Sequence, residues 1–384
     1  MEQGFQEVQN LCEKALQDGV FPGCVVSVGR NGSELFKQVV GLQTLIKDKD
    51  KEAELPRMKV STVFDIASVT TLITTAVLMR LVDNGRISLN DHISRYIQSF
   101  GVNGKSNITI RQLLNHTSGL PAWHAYFEEL VKLHLGERRG ILTSSGAKDY
   151  IFNLINRSQV RSEPGSKQVY SEIGDNGFIL VGNLIETITG QSLDKAVRKY
   201  VTQPLGMQNT SYIDLALIRR RGILPVKDLI APTENCPWRK RILCGEVQDG
   251  NAWAMGGIAG HSGIFSDAED LHIFASQLLQ AYNGGSSFLS AGTVRDFFQL
   301  PEGFSEGWCC GFDMPSKENG LSDSRISASS VGINGFTGCS LWMDLERGID
   351  IVLLSNSIHP SEANRKIKGF RPILFDAIIQ AVER

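Results

Sequence analysis

A serine stands at the head of a long apolar pattern in Phe64-Asp-Ile-Ala-Ser68-Val-Thr-Thr71. A serine hydroxyl is too weakly acidic to attack a carbonyl unaided, so acyl-transfer chemistry needs a proton acceptor beside it. One solution puts a lysine three residues later, because a spacing of i, i+3 sets hydroxyl and amine on one helix face. Here that position is Thr71, and a threonine hydroxyl is no base at neutral pH. The segment offers a nucleophile and lacks the base expected with it.

Two other Ser-x-x-Lys matches occur, Ser145-Gly-Ala-Lys148 and Ser192-Leu-Asp-Lys195. Each precedes or begins a helical pattern, where serine is favoured as an N-cap, and neither is followed by a buried helix. There is no Gly-x-Ser-x-Gly elbow, which argues against an α/β-hydrolase. His116 and His261 lie in Gly/Ser/Thr-rich loops and read as structural rather than catalytic. No His-x-x-x-His or Cys/His cluster supports a metal, and no cofactor is expected. Asp65 and Asn115 read as loop holders through side-chain to backbone bonds. Lys148 and Lys167 read as solvated.

The elements that must position Ser68 follow from periodicity. Apolar residues at helical spacing predict a helix over residues 3–18. Two strand patterns then flank Asn31-Gly32, a hairpin signal. From Ser68 to Asn84 the pattern is apolar on most sides, which predicts a central buried helix. Residues 90–290 are mostly helical in pattern. Near the end, Ser340-Leu-Trp-Met-Asp and Gly348-Ile-Asp-Ile-Val-Leu-Leu-Ser form a second hairpin, and residues 370–383 close as a helix with Ile373, Leu374, Ala377, Ile378 and Val382 on one stripe. The expected fold is α/β (α+β): an antiparallel sheet flanked by helices, built from residues 1–90 and 290–384. A mainly helical domain, residues 91–289, is inserted into it. The site would lie in the cleft between the two.

The 384 residues can bury a large core, and 42% hydrophobic with 21% charged content is ordinary for a globular protein. With 39 basic and 41 acidic residues the formal net charge is −2, so nothing suggests a nucleic-acid or anionic-membrane partner. The start of the chain lacks the basic and apolar regions of a signal peptide, and no stretch reaches the length of a membrane span. Seven cysteines without a Cys-x-x-Cys pair fit reduced thiols and an expected cytoplasmic location. Oligomeric state is not readable.

Four more segments stand beside the serine: Ile110-Arg-Gln-Leu-Leu-Asn-His116-Thr-Ser-Gly-Leu-Pro, Pro164-Gly-Ser-Lys-Gln-Val-Tyr170-Ser171-Glu172, Ala254-Met-Gly-Gly-Ile-Ala-Gly-His261-Ser-Gly-Ile-Phe, and Gly332-Ile333-Asn334-Gly335-Phe336-Thr337-Gly338. Together, and in this order, they resemble the serine hydrolases of the class C β-lactamase family, which includes penicillin-binding DD-peptidases and esterases. The resemblance implies a β-lactamase/transpeptidase-like fold, with Ser68 as nucleophile and Tyr170 as the tyrosine that shuttles its proton. It implies an oxyanion hole from the backbone N–H groups of Ser68 and Phe336. It also puts Glu172, Ile333, Asn334 and Gly335 along the substrate.

The departures from the family pattern concern proton transfer. Thr71 replaces the lysine, Ile333 replaces the basic residue of the third motif, and Glu172 stands for Asn or Asp. Gly174-Asp-Asn-Gly177 looks like a short insertion, and Gln248-Asp-Gly-Asn-Ala stands where relatives often have His-Asp-x-Asn-Ala. Loss at both 71 and 333 argues against a single inactivating substitution. Two readings follow. One is an acyl hydrolase working through Ser68 on an ester, amide or β-lactam-like substrate with low or altered activity, in which Glu172 is a conceivable substitute base. The other is an inactive relative that binds a cell-wall-peptide-like ligand or a protein partner in the same cleft.

Overall fold

In the computed structural model, which describes residues 2–47, 54–172 and 174–384, the two ends of the chain build one sheet. Its strands are β1 (Gly23–Arg30), β2 (Ser33–Gly41), β3 (Trp308–Cys309), β4 (Phe312–Asp313), β5 (Val331–Asn334), β6 (Ser340–Asp344) and β7 (Ile349–Ser355). They lie in the order β2-β1-β7-β6-β5-β4-β3, and every pairing is antiparallel. Both expected hairpins form. At the first, Asn31 and Gly32 take φ of 51° and 84°, the double positive φ that a two-residue hairpin turn demands.

Both faces of the sheet are covered, which explains why β1, β6 and β7 read as near-continuous apolar runs. On the outer face Val26, Val28, Trp342, Ile351 and Leu353 pack with helix α1 (Gln6–Gln17) and the C-terminal helix α5 (Ile367–Glu383). The buried stripe of α5 differs from the expected one. Ile373 is 55% exposed, whereas Phe370, Arg371, Leu374, Phe375 and Ile378 are buried.

On the inner face Val25, Ile333, Leu341, Met343, Val352 and Leu354 join the larger core around helix α2 (Thr70–Asp83). Residues Thr70 to Met79 are all buried, as expected of a central helix that touches structure on every side. Helix α3 (Asn176–Thr189) packs against α2 within the helical region. Helix α4 (Ala268–Tyr282) packs on β1, β6 and β7, so this part of the 91–289 segment lies on the sheet. A short antiparallel ladder of Phe64–Asp65, Ile264–Ser266 and Ser211–Tyr212 carries the chain into Ser68. Among the described residues no helix is long and apolar enough to cross a membrane, and all seven cysteines are free thiols.

Candidate active site

Ser68 lies in the middle of a single 3-10 turn, Ala67–Val69, that runs directly into α2. The turn is held from outside. Asp65 accepts from the Ala67 N–H at 3.0 Å with one carboxylate oxygen and from the Gln248 N–H at 2.7 Å with the other. This is the loop-holding role read for Asp65. Its burial raises its pKa to about 6 against those two bonds. Ala67 takes φ of 48°, a left-handed conformation costing roughly 1–2 kcal/mol for a residue with a Cβ. The surrounding structure fixes the residue before the serine in a strained state.

Strand β5 meets this turn at Gly335. A Cβ there would lie 2.8 Å from the Ile66 carbonyl oxygen and 3.5 Å from the Ala67 Cβ, so only glycine allows the approach. The Thr337 hydroxyl donates to the Asp65 carbonyl at 2.8 Å. From α5, the buried Arg371 donates to the carbonyls of Gly335 and Cys339 at 2.7 and 3.0 Å. Ser68 and Phe336 are thereby brought to the same end of the cleft, where both line one cavity. Among the described residues neither backbone N–H donates to a protein acceptor.

Tyr170 approaches the serine from the helical side, close enough for the Ser68 side chain to act on its pKa. Its loop is fixed by reciprocal bonds between the Gln168 side chain and the Trp308 backbone at 2.7 and 2.9 Å, and by the Val169 N–H on the His116 carbonyl at 2.8 Å. The Trp308 ring lies 4.4 Å from the phenol ring. Burial raises the Tyr170 pKa, the Ser68 side chain opposes this, and the nearby carboxylates of Asp175, Asp313 and Glu172 add to it. The phenol is therefore protonated at neutral pH and cannot accept the serine proton.

Neither Thr71, Ile333 nor His116 corrects this. Thr71 is buried, and its hydroxyl donates back to the Ser68 carbonyl at 2.8 Å. Ile333 is 1% exposed and belongs to the core. His116, with rings 5.2 Å from Tyr170, sits 3.4 Å from Asp175 outside hydrogen-bond geometry. Burial lowers its pKa although Asp175 opposes the shift, so it is neutral at pH 7. Lys148 is ion-paired to Glu186 rather than solvated, while Lys167 is exposed.

The remaining candidates separate. Glu172 is bonded at 2.6 Å to Lys368, and both side chains are more than half exposed. Glu172 lines the cavity that holds Ser68, and among the described residues no hydrogen bond joins it to Ser68 or Tyr170. Asn334 accepts from the Trp342 indole at 3.0 Å. Asn115 differs from its reading as a loop holder, because its Oδ1 is buried without a partner. The apparent insertion at 174–177 supplies Asp175, which caps α3 by accepting from the Phe178 N–H at 3.1 Å. Ser144 caps the helix that starts at Ser145, and Ser192 is an N-cap residue as well.

Two cavities open beside Ser68 and share Glu172 and Phe336. One, of about 340 Å³, is walled by Trp123, Phe127 and Trp238 with Glu234, Gln248, Asp249 and His261. The other, of about 370 Å³, holds Tyr170, Trp308, Asp313 and Ile333 together with Lys317, Arg365, Lys368 and Arg371. The Arg365 guanidinium covers the Phe336 ring at 4.2 Å. Arg371 was not identifiable from sequence. Its one signal was a charged residue beside Phe370, inside the apolar repeat of α5. Burial lowers its pKa to about 10, so it stays charged. Among the described residues no cluster of His, Cys, Asp and Glu is arranged to hold a metal.

A family model described as Beta-lactamase matches residues 8–370. An N-acetylmuramyl-L-alanine amidase of Bacillus subtilis is 26% identical over 385 residues, covering 92% of this chain and 81% of that protein. Among solved structures, EstCE1, "a hydrolase with promiscuous acyltransferase activity", is 22% identical with a TM-score of 0.70, over 96% of this chain and 98% of that one. A penicillin-binding protein homologue from Pyrococcus abyssi is 20% identical with a TM-score of 0.69, over 97% and 78%. These structures share the fold expected from the sequence, and with 363 of its residues matched by one family model the chain belongs to the β-lactamase family of serine hydrolases.

Proposed function

We propose that the chain is a serine acyl hydrolase with impaired proton transfer, which forms an acyl-enzyme through Ser68 on an ester, amide or β-lactam-like substrate and turns over slowly. The observation that carries this reading is Ser68 at the head of α2 beside two backbone N–H groups without a protein acceptor, with the Tyr170 phenol held protonated next to it and Thr71 and Ile333 supplying no base. Ser68 Oγ attacks the acyl carbon, and the N–H groups of Ser68 and Phe336 hold the oxyanion. The bond to the leaving group then breaks. Because Tyr170 already carries its proton, the proton of Oγ passes to water. An ester's leaving group departs as a stable anion and needs no proton in return. The nitrogen of an amide or β-lactam instead takes one from water or from the Tyr170 phenol, which water then reprotonates. Deacylation needs a water molecule activated by the same missing base, so the acyl group persists on Ser68. Losing one member of a catalytic unit costs on the order of 10⁴–10⁶ in rate, and further losses add little.

The second reading, a cleft that binds a peptide-like ligand or a protein without turnover, is favoured by the same buried, protonated phenol. Intact-mass analysis after incubation with a fluorophosphonate and with a penicillin separates the two. An adduct that is absent from Ser68→Ala supports the acyl-enzyme. No adduct, with saturable ligand binding unchanged in Ser68→Ala, supports the binder.

A further inference from the structure

The two cavities differ in charge. Lys317, Arg365, Lys368 and Arg371 line one of them, with Glu172, Asp313 and Glu318. The other has no lysine or arginine among its lining residues, and it contains four carboxylates, Glu172, Glu234, Asp249 and Glu362. Two of the four have partners inside the protein: Glu172 bonds Lys368, and Asp249 bonds His261 at 2.9 Å. Glu234 is 4% exposed and accepts a neutral bond from the Gln248 amide at 3.2 Å. Burial raises its pKa and the neighbouring Glu362 raises it further. Arg239 adjoins the wall: its guanidinium lies 4.6 Å over one face of the Trp238 ring and donates to the carbonyls of Val247 and Gln248 at 2.7 Å each.

The aromatic walls and a buried, unpartnered ring nitrogen mark the same cavity. Trp123, Phe127, Trp238 and Phe336 line this cavity, and Phe127 stacks on Trp238 with centroids 5.1 Å apart. Aromatic faces attract cations through their quadrupole, and the attraction grows as water is excluded. His261 is buried and lines the cavity as well. Its Nε2 serves Asp249, and its Nδ1 is buried without a partner.

We propose that this aromatic and acidic cavity is a subsite for an organic cation, an ammonium or guanidinium group on the ligand that the Ser68 cleft takes. The assignment rests on the reading of that cleft as a binding site, and names the charge of its ligand on one side of the serine.

The test is a tryptophan-fluorescence titration with benzyltrimethylammonium, using benzyl alcohol and phenylacetate as neutral and anionic counterparts. It is run on the parent protein and on Ser68→Ala, so binding is read without any acylation step. Saturable binding of the cation alone is expected, equal in both proteins. Affinity should fall about tenfold in Glu234→Gln and in Trp238→Ala, each checked for an unchanged melting temperature. Glu362→Gln, at an exposed position, gives a smaller loss and keeps the test available if Glu234→Gln is unstable. The proposal is overturned if the cation binds no better than benzyl alcohol, or if affinity is unchanged in both Glu→Gln variants. A fluorophosphonate adduct on Ser68 stands or falls independently of either result.

Discussion

At position 71 a hydroxyl and a methyl stand three residues after the serine, and the hydroxyl is used on the Ser68 carbonyl. A lysine there would bring an ammonium to the Ser68–Tyr170 pair and favour the phenolate. Thr71→Lys is therefore expected to raise the acylation rate by about 10²-fold, the lower end of what a positioned base contributes, because Ile333 still withholds the second cation. Stopped-flow release of p-nitrophenol checks it; an unchanged rate would put the defect in the third motif or the substrate pocket.

Asp313 gives a pH-dependent prediction at the same scale. Burial raises its pKa to about 7, against about 3.9 in an unfolded chain. The folded state thus holds a proton that the unfolded state has lost between those values. The resulting stability is fully present below about pH 4 and disappears as pH rises through about 7. Asp313→Asn, which keeps an acceptor for Asn319, should be more stable than the parent protein at pH 8, by on the order of 4 kcal/mol. The difference should vanish near pH 4. Urea denaturation at the two pH values measures it, and equal differences at both would refute the buried proton.

Among the elements, the contact between β5 and the Ser68 turn depends on a missing side chain. Gly335→Ala puts a Cβ 2.8 Å from the Ile66 carbonyl, and such overpacking costs roughly 1–3 kcal/mol. It also moves the Phe336 N–H away from the serine. Both the melting temperature and the rate of Ser68 labelling should fall, whereas a loss of stability with unchanged labelling would separate Phe336 from the oxyanion site. This contact shows what was legible in the sequence. Ser68, Tyr170 and Gly335 were recognisable because each lies in a local motif of fixed spacing. The Asn31-Gly32 hairpin and helix Thr70–Asp83 were recognisable because turn chemistry and periodicity are local. Arg371 was not, since its burial depends on α5 packing over β5 from more than thirty residues away. The pairing of Glu172 with Lys368, 196 residues distant, left no local signal either.

For the molecule as a whole, the cleft floor is one sheet assembled from both ends of the chain, so distant core residues bear on the site. Phe375 on α5 is fully buried in the outer core, and Phe375→Ala should cost about 3–5 kcal/mol. Because α5 also carries Arg371 under β5, labelling of Ser68 should slow along with the loss of stability. A destabilised variant with full labelling would show that the site is independent of the outer layer. The folded scaffold is that of its family, and the departures concentrate where protons move. Thr71 and Ile333 place no cation beside the serine, while the Asp65 clamp and the Gly335 contact shape its turn.

The most direct test is an intact-mass time course after mixing the protein with excess p-nitrophenyl acetate at neutral pH. The account predicts one acetyl group per chain, located on Ser68, absent from Ser68→Ala and persisting long after p-nitrophenol release has slowed. No acetyl on Ser68 at any time would contradict an intact nucleophile, and rapid turnover without accumulation would contradict the missing base.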